Sequence, residues 1–337
     1  MQAMKILLTG GAGYIGSHCA VVLAQAGFES VILDNYANSS PEIEHALKTI
    51  IGDNFQMVEG DVRNTILLTD VIKRNNIRAV IHLAGLKSVN DSMRDPIQYY
   101  DVNVAGSISL IKAMQSCNIH KLIFSSSATV YGDPQYLPYD ENHPTNPINV
   151  YGATKLAVEK ILGDLSKSDS NWQIAMLRYF NPVGAHHSGC IGENPRGTPN
   201  NLMPYLLQVA AKLRPKLSVF GDDYATRDGT GERDYIHVMD LARGHLAALS
   251  FLDNEKGCHV FNLGSGKATT VMELIHAFER VNQQRVPFEI TGRRPGDLPS
   301  YYATPEKAKT ILGWSAQESI DDICLSAWKW QKNKHLE

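Results

Sequence analysis

The sequence lacks features that would assign its 337 residues to several large classes of protein. The five cysteines are odd in number and form no C-x-x-C pair, which argues against a disulfide framework and favours a reducing, cytoplasmic compartment. No apolar run is long enough to cross a bilayer, and the N-terminus carries no signal-peptide pattern. We therefore expect a cytoplasmic protein that has no membrane partner.

Long runs of like charge are also missing. The chain carries 32 basic and 35 acidic residues and a formal net charge of −3. Proteins that bind nucleic acid usually concentrate positive charge, so we expect no nucleic-acid partner. The 12 histidines show no spacing typical of metal ligands, and we expect no metal.

The first half of the sequence contains a regular alternation of short apolar runs and helical patterns. Four runs have the composition of strands buried on both faces: Lys5–Thr9, Ser30–Leu33, Ala79–Leu83 and Lys121–Phe124. Helical periodicity lies between them, over Ile15–Ala26 and Val104–Ser116 for example. Strands that alternate with helices indicate βαβ units. We predict an α/β fold in which residues 1–180 form a Rossmann-type, doubly wound parallel sheet.

The second half is less regular. Residues 180–201 are rich in Gly, Pro and Asn, which predicts a loop, and helical patterns follow over Leu202–Leu213, Val238–Leu252 and Val271–Val281. We expect residues 181–337 to form a smaller, mixed α/β domain that binds the substrate, with a segment near 237–262 returning to the first domain.

A glycine-rich turn follows the first predicted strand. Thr9 to Gly16 has the sequence T-G-G-A-G-Y-I-G, which satisfies both G-x-x-G-x-x-G and G-x-G-x-x-G. Glycines there permit a tight turn and close approach of a pyrophosphate, which the N–H groups at the start of the helix can bind. A plain glycine turn is the alternative, and the position between a strand and a helix argues against it. The turn predicts a dinucleotide site.

Two carboxylates extend this prediction. Asp34 ends the second predicted strand, where it would accept hydrogen bonds from ribose hydroxyls and repel a 2′-phosphate, so NAD is favoured over NADP. A turn or cap role is the alternative for Asp34. Asp61 follows a third predicted strand and is placed to approach the adenine, although Gly-Asp is also a common turn pair.

Tyr151 and Lys155 lie four residues apart, which puts both side chains on one face of a helix. A free phenol has a pKa of about 10, and we expect Lys155 and a nicotinamide cation to lower the pKa of Tyr151. Ser127 ends the fourth predicted strand, where it can hydrogen-bond a substrate hydroxyl. Y-x-x-x-K alone is typical of a solvated helix face, but its combination with the serine favours an enzyme.

Together these motifs resemble the extended short-chain dehydrogenase/reductase family. Within that family, five further stretches are similar to the UDP-sugar 4-epimerases: residues 82–87, 124–132, 177–182, 199–205 and 233–238. The resemblance extends from Met4 to about Gln331.

The resemblance implies a role for each residue that matches a family motif. Tyr151 is implied as the acid/base, Ser127 as its support, and Lys155 as the residue that tunes it and binds ribose. Besides Tyr151 and Lys155, the implied NAD contacts are Gly10, Gly13, Tyr14, Ile15, Gly16, Asp34, Asn35, Asn38, Ser39, Asp61, Val62, Leu83, Ala84, Gly85, Lys87, Asn103 and Phe180. Besides Ser127 and Tyr151, the implied UDP-hexose contacts are Lys87, Asn181, Asn201, Leu202, Phe220, Arg233, Arg294, Asp297 and Tyr301.

The implied reaction is redox-neutral and serves galactose metabolism by interconverting UDP-glucose and UDP-galactose. Tyr151 removes the proton of the sugar 4-hydroxyl while C4 gives a hydride to NAD, and the hydride returns to the other face of the 4-keto sugar. Arg233 and Arg294 suit a diphosphate, because a guanidinium binds phosphate oxygens well. On composition alone, surface ion pairs would be the better interpretation of both arginines.

Rival functions on the same scaffold differ at identifiable positions. Sugar-nucleotide 4,6-dehydratases carry Asp and Glu where this chain has Ala128 and Thr129, so the groups that would transfer protons in elimination are missing. A C4 decarboxylase has no dedicated feature in the sequence, and the chemistry leaves it open. A non-catalytic NAD-binding regulator typically lacks the Tyr or the Lys, and both are present here.

The resemblance also bears on substrate breadth and assembly. Tyr301 matches a family position where a bulky Tyr narrows the pocket, which predicts a preference for plain UDP-hexoses. Activity on UDP-GlcNAc and UDP-GalNAc, alone or in addition, is the alternative, and Tyr301 is also suited to simple packing. The family implies a homodimer formed by the helices around Val104–Ser116 and Tyr151–Leu165.

Overall fold

A computed structural model describes residues 4–195, 197, 199, 201–294 and 296–334. Its strands are β1 (Lys5–Thr9), β2 (Glu29–Asp34), β3 (Phe55–Glu59), β4 (Ala79–His82), β5 (Lys121–Ser127), β6 (Gln173–Tyr179), β7 (Asn181–Val183), β8 (Leu217–Phe220), β9 (Glu232–His237), β10 (Gly257–Leu263), β11 (Ala268–Thr270), β12 (Phe288–Thr291) and β13 (Ser300–Tyr301). Its α-helices are α1 (Tyr14–Gln25), α2 (Ile43–Ile51), α3 (Thr65–Arg74), α4 (Val89–Arg94), α5 (Pro96–Tyr99), α6 (Gly106–Ser116), α7 (Val150–Ser168), α8 (Leu202–Ala210), α9 (Val238–Phe251), α10 (Val271–Asn282), α11 (Glu306–Leu312) and α12 (Ile320–Asn333).

The larger sheet is parallel, with its strands in the order β10-β6-β5-β4-β1-β2-β3 over the described part of the chain. From β1 the chain moves outward through β2 to β3, and then returns to β4 on the other side of β1. The strand order therefore reverses between β1 and β4, where sheets of this type bind ligands at the carboxyl ends of their strands. The predicted α/β class with a Rossmann-type parallel sheet is confirmed.

The apolar run of β1 is continuous because both faces of the sheet are covered. Ile6 and Leu8 pack with α1 and α9 in one hydrophobic core, whereas Leu7 packs with α3, α6 and α7 in a second. Successive side chains of a strand point to opposite faces of the sheet. When both faces are covered, every position in the middle of the strand is buried and favours an apolar side chain.

The second half of the chain divides between the large sheet and a smaller unit. β10 pairs in parallel with β6, with Phe261 opposite Leu177, and the preceding helix α9 packs on α1. The other strands form two small sheets, β7, β9, β11 and β13 in one and β8 with β12 in the other. Helices α8, α10 and α12 pack with these strands around a separate core.

Helix α7 carries two of the predicted catalytic residues and begins sharply. The side chain of Asn149 accepts a hydrogen bond of 2.8 Å from the backbone N–H of Gly152, which satisfies one of the free donors of the first turn. Lys155 and Glu159 lie on its buried face, although charged side chains usually avoid burial. Among the described helices, none is both long and apolar enough to cross a membrane.

The predicted elements differ from the structure at three places. The loop predicted over 180–201 contains β7, because Asn181 pairs with Tyr235 of the distant strand β9. Strand β5 is longer than the apolar run Lys121–Phe124 and reaches the serine predicted to end it, because Ser127 pairs with Tyr179. Helix α8 ends at Ala210 and not at 213, because Lys212 adopts a left-handed conformation with φ of +61°.

Candidate active site

The glycine-rich turn joins β1 to α1 at the point where the strand order reverses. Gly10 has a φ of +70°, and a Cβ at this position would lie 2.6 Å from the backbone nitrogen of Ala84. A Cβ on Gly16 would lie 2.5 Å from the Cα of Gly11. Gly13 caps α1 without a side chain, so the N–H groups of the first turn face the carboxyl edge of the sheet. Such a terminus fits a pyrophosphate.

Asp34 connects this turn to the loop after β2. Its carboxylate accepts hydrogen bonds from the backbone N–H of Ala12 at 3.0 Å, the backbone N–H of Tyr36 at 2.9 Å and the hydroxyl of Ser39 at 2.9 Å. A carboxylate has about four acceptor sites, so capacity remains for a ribose hydroxyl. The residues present therefore fit an NAD whose adenosine ribose is unphosphorylated. Asn38 of the same loop is exposed.

Asp61 is already occupied by a neighbour that the sequence analysis missed. Arg63 donates to both Asp61 oxygens, at 2.9 and 2.7 Å, and holds the pKa of that carboxyl well below its usual range. Asn35 donates to the same carboxylate at 3.0 Å. Val62 is buried, with only 5% of its surface exposed, and would contact a Cβ placed on Gly106. The spacing D-x-R was the available signal for this pair.

The loop after β4 is held by Asn103, which projects from the π-helical turn Tyr100–Ala105. Its side chain accepts a hydrogen bond from the backbone N–H of Leu86 at 2.7 Å and donates to Thr154 of α7 at 3.0 Å. A Cβ on Gly85 would lie 3.0 Å from Asn103 Oδ1 and 3.7 Å from Lys155 Nζ. Gly85, which follows Leu83 and Ala84 in this loop, thus lies beside Lys155 of the predicted catalytic helix.

Ser127, Tyr151 and Lys155 come together at the carboxyl end of β5. Ser127 Oγ accepts hydrogen bonds from Thr129 N at 3.2 Å and Thr129 Oγ1 at 2.9 Å, which leaves its own proton available for the Tyr151 hydroxyl, whose pKa the serine acts to lower. Lys155 Nζ donates to the carbonyl of Ser125 at 2.7 Å and lies 5.9 Å from the centre of the Tyr151 ring.

Burial shifts the pKa values of both Tyr151 and Lys155. Burial raises the pKa of Tyr151 to about 12, while the hydrogen bond with Ser127 acts in the lowering direction. The net shift in the protein alone is upward because desolvation of the phenolate is the larger effect. The lowering expected from Lys155 together with a nicotinamide cation stays a prediction. Burial also lowers the pKa of Lys155 to about 8, against the opposing effect of Glu159. The lysine is thus mostly protonated near neutral pH.

Behind Ser127, a buried ion pair supports the strand and the helix. Glu159 of α7 accepts hydrogen bonds from Arg178 at 2.9 and 2.7 Å and from the Ser126 hydroxyl at 2.6 Å. Sequence analysis did not assign Glu159. The signal was its position one helical turn after Lys155, on the same face.

The basic residues predicted to bind a diphosphate gather on the other side of the candidate pocket. Arg233 of β9 donates to the carbonyl of Leu298 at 2.8 Å and lies 3.7 Å from Asp297. Arg294 lies 3.9 Å from the same carboxylate, and its guanidinium stacks 4.4 Å from the centre of the Phe220 ring. Four predicted contacts therefore form one cluster, of which Arg294 is 43% exposed.

Tyr301 contributes an aromatic wall next to this cluster. It pairs with Arg233 through β13, and its ring lies 4.8 Å from Tyr139 and 5.6 Å from Phe180. Its hydroxyl is buried without a hydrogen-bond partner among the described residues, and burial raises its pKa well above the usual value. Phe180 precedes Asn181, which begins β7.

A third cluster, around Glu193, connects a residue predicted to contact the cofactor with residues predicted to contact the substrate. Glu193 accepts hydrogen bonds from Lys87 at 2.8 Å and from Asn201 at 3.2 Å. Helix α8 begins at Leu202, the residue after Asn201. The hydroxyl of Tyr14 donates to the carbonyl of Gly184 at 2.7 Å. Ile15 is partly buried beside it. Two residues near predicted contacts lie outside the described residues. They are Asn200, in the matched stretch 199–205, and Pro295, next to Arg294.

Comparisons with known proteins identify the family. A family model described as GDP-mannose 4,6 dehydratase matches residues 7–326. The chain is 50% identical over 330 residues to a UDP-glucose 4-epimerase of Neisseria meningitidis serogroup C, which covers 98% of this chain and 97% of the relative. The chain belongs to the UDP-glucose 4-epimerase family. The resemblance predicted from the sequence is thereby confirmed.

Solved structures of this family agree with the fold. A UDP-glucose 4-epimerase from Stenotrophomonas maltophila, with bound NAD and formylated UDP-arabinopyranose, has a TM-score of 0.97 and 47% identity, and 99% of each chain is covered. The Bifidobacterium longum UDP-glucose 4-epimerase, in complex with NAD+ and UDP, has a TM-score of 0.94 and 46% identity, with 98% of this chain and 99% of that chain covered.

The family model carries the name of a dehydratase, and the geometry shows where an epimerase differs. Thr129, which stands where the dehydratases carry Glu, donates twice to Ser127. Ala128, at the Asp position, is buried and 2% exposed. The positions after Ser127 therefore support the serine and provide no carboxyl group for elimination.

Proposed function

We propose that this chain is an NAD-dependent UDP-sugar 4-epimerase that interconverts UDP-glucose and UDP-galactose. The observation that carries the proposal is the convergence of Ser127, Tyr151 and Lys155 at the carboxyl end of β5, where Lys155 Nζ donates to the carbonyl of Ser125 at 2.7 Å and lies 5.9 Å from the centre of the Tyr151 ring. Three groups able to hold and move a proton at a sugar hydroxyl therefore meet beside a turn that fits a dinucleotide. A regulatory NAD-binding protein would have no need of this arrangement.

Each residue has a distinct part in proton transfer. Bound NAD supplies a hydride acceptor and a positively charged nicotinamide ring. Tyr151 removes the proton from the 4-hydroxyl of the sugar and later returns it, which requires its pKa to fall from about 12 in the protein alone. Ser127 stabilises the phenolate by hydrogen bonding. Lys155 holds a positive charge near the ring, while its bond to the Ser125 carbonyl fixes its position.

The other cluster is suited to the UDP part of the substrate. Arg233 and Arg294 lie 3.7 and 3.9 Å from the carboxylate of Asp297, so the two guanidinium groups are partly neutralised but not bound bidentately. A diphosphate offers better acceptors than these loose pairs. Phe220 and Asn181 then complete the proposed UDP contacts, and Tyr301 limits the room around the sugar.

The test of the function uses the protein without added cofactor. Purified protein is incubated with UDP-galactose, and the products are identified by chromatography and by the proton NMR signal at C4. Formation of UDP-glucose to equilibrium without added NAD is the expected result. Absence of conversion, even after NAD is supplied, would remove the proposal.

We propose a preference for UDP-galactose over UDP-GalNAc. The bulk of Tyr301, fixed between Tyr139 and Phe180, supports it because a 2-acetamido group needs added space. The same assay run with UDP-GalNAc gives the ratio of kcat/KM values, which we expect to exceed about tenfold in favour of UDP-galactose. A ratio near one would contradict the proposal.

We further propose that residues 1–180 with 237–262 form the NAD-binding domain and most of residues 181–337 the UDP-sugar domain. Pairing of β10 with β6 supports the return of the second segment. A homodimer is proposed on the exposed apolar side chains Ile97, in α5, and Tyr100, in the π-helical turn that leads into α6. Light scattering would measure the mass. The five free cysteines support a cytoplasmic location.

A further inference from the structure

The carboxylate of Glu193 lies where three ligand-binding segments meet. Its Oε1 accepts from Lys87 Nζ at 2.8 Å and from Asn201 Nδ2 at 3.2 Å. Burial raises the pKa of the Tyr14 hydroxyl well above its usual value, and the negative charge of Glu193 acts on that group in the same direction. These contacts reach the loop after β4, the start of α8 and the start of α1. Within the described residues, one side chain thus joins cofactor and substrate elements.

Two contacts fix the backbone around Glu193. The indole Nε1 of Trp330 donates to the carbonyl of Glu193 at 3.2 Å. A Cβ on Gly192 would lie 2.5 Å from Trp330 Cγ, so the loop is pressed directly against helix α12. The Glu193 side chain is only 10% exposed, whereas Lys87 is half exposed. The carboxylate is therefore the fixed partner and the lysine the mobile one.

A largely buried negative charge is unfavourable unless a cation compensates it. Lys87 provides that cation, and in return the carboxylate restricts where its ammonium can lie. The same Glu193 oxygen orients the side-chain amide of Asn201. Because this oxygen accepts from Nδ2, it determines which end of the Asn201 amide points toward the pocket. The positions of Lys87 and Asn201 therefore depend on each other through Glu193.

We propose that Glu193 is a positioning residue that couples the cofactor loop to the substrate loop, so that UDP-sugar binding strengthens the retention of NAD. The inference rests on the proposed function, because it takes Lys87 and Asn201 as ligand contacts. Coupling of this kind is reciprocal: if bound UDP lowers the Kd of NAD, bound NAD must lower the Kd of UDP by the same factor.

The experiment compares Glu193→Ala, which removes the acceptor, with Glu193→Gln, which keeps an acceptor oxygen and removes the charge. Asn194→Ala is the matched control, because it removes the neighbouring contact with Lys334 and leaves Glu193 intact. For each purified holoenzyme, calorimetry gives the Kd of UDP. The NAD that stays bound during gel filtration is measured with and without UDP.

In the Ala variant we expect the Kd of UDP and the KM for UDP-galactose to rise about tenfold, with kcat changed less than threefold. Protection of NAD by UDP should be lost in that variant and kept in Asn194→Ala. An intermediate effect in the Gln variant would attribute part of the coupling to charge. If Ala disrupts folding, as judged by circular dichroism, the Gln variant carries the test through the dependence of the UDP Kd on salt.

Wild-type UDP affinity together with wild-type protection of NAD in both Glu193 variants would overturn the proposal. Its failure is distinguishable from failure of the proposed function. Binding of UDP and retention of NAD require no turnover, so they test Glu193 even in a protein that converts no UDP-galactose.

Discussion

The two ends of the candidate site are built in different ways. At the cofactor end, Asp34 and Asn103 are fixed by backbone N–H groups at 2.7–3.0 Å, next to the buried central strands of the large sheet. At the diphosphate end, Arg294 is 43% exposed and lies 3.9 Å from Asp297, and Arg233, whose guanidinium donates to the carbonyl of Leu298 at 2.8 Å, lies 3.7 Å from the same carboxylate. The first end is preorganised, whereas the second gains its order from the ligand.

This difference has an energetic reason. A cofactor that remains bound through every turnover benefits from groups whose ordering was completed during folding. A substrate that must enter, turn and leave needs side chains that can exchange partners. Loose pairs between Arg and Asp meet that need, because little hydrogen-bond energy is lost when a diphosphate replaces the carboxylate.

The largest effect is expected at the preorganised end, in Tyr151→Phe. Removal of the hydroxyl abolishes proton transfer but leaves the ring in place, so kcat should fall roughly 10²–10⁴-fold. Retention of NAD and the Kd of UDP should stay within about twofold of wild type. Steady-state kinetics and calorimetry measure both. Near-normal turnover would remove Tyr151 from the centre of the mechanism.

A smaller effect is expected at the adaptable end, in Arg294→Ala. Loss of a charged donor to phosphate should raise the Kd of UDP roughly thirtyfold, or about 2 kcal/mol. Arg293→Ala is the control, because that arginine donates to Asp223 at 2.7 Å and lies 4.3 Å from the centre of the Tyr224 ring. Equal losses in both variants would show that general positive charge, and not the position of Arg294, binds UDP.

Asp34→Ala tests the preorganised end for cofactor choice. We expect the preference for NAD over NADP to fall about tenfold, since the charge that repels a 2′-phosphate is lost. Reconstitution of cofactor-free protein with each dinucleotide measures the ratio. Asp53→Ala, at an exposed carboxylate paired with Lys48, serves as the control. An unchanged ratio in Asp34→Ala would assign the selection to another residue.

Mild acid should lower the free energy of unfolding, because buried histidines of the large sheet and its helices are held in the neutral form. Burial lowers the pKa of His18 and His82 to about 3 and that of His245 to about 4. Because these folded values lie below the unfolded value of about 6.5, the stabilising effect is complete above that pH and is lost as the pH falls toward 3–4.

Between pH 7 and about 5.5 the free energy of unfolding should fall by about 1 kcal/mol for each of these histidines. Denaturant titrations at each pH measure it. His18→Asn should flatten the dependence, and replacement of the exposed His45 by Gln should leave it unchanged. A pH-independent stability over this range would contradict the assigned neutral state.

Part of this protein follows from local sequence. The run Lys5–Thr9 and the glycines after it predicted a strand, a turn and a helix, since each preference acts over a few residues. The spacing of Tyr151 and Lys155 predicted one helical face for the same reason. Family motifs then implied the distant contacts, including Arg233, which no local pattern distinguishes from a surface arginine.

Only the tertiary structure decided the remainder. Residues of β7 form a strand because β9 lies beside them and pairs with them. The composition of residues 180–201 does not indicate that partner. Glu193 acquires its place through Lys87, which is 106 residues away in the chain. The pKa of Tyr151 rises because burial of the phenolate outweighs its hydrogen bond, and burial is a property of the packed molecule. Local sequence determined which groups are present; packing determined their neighbours and therefore their charge.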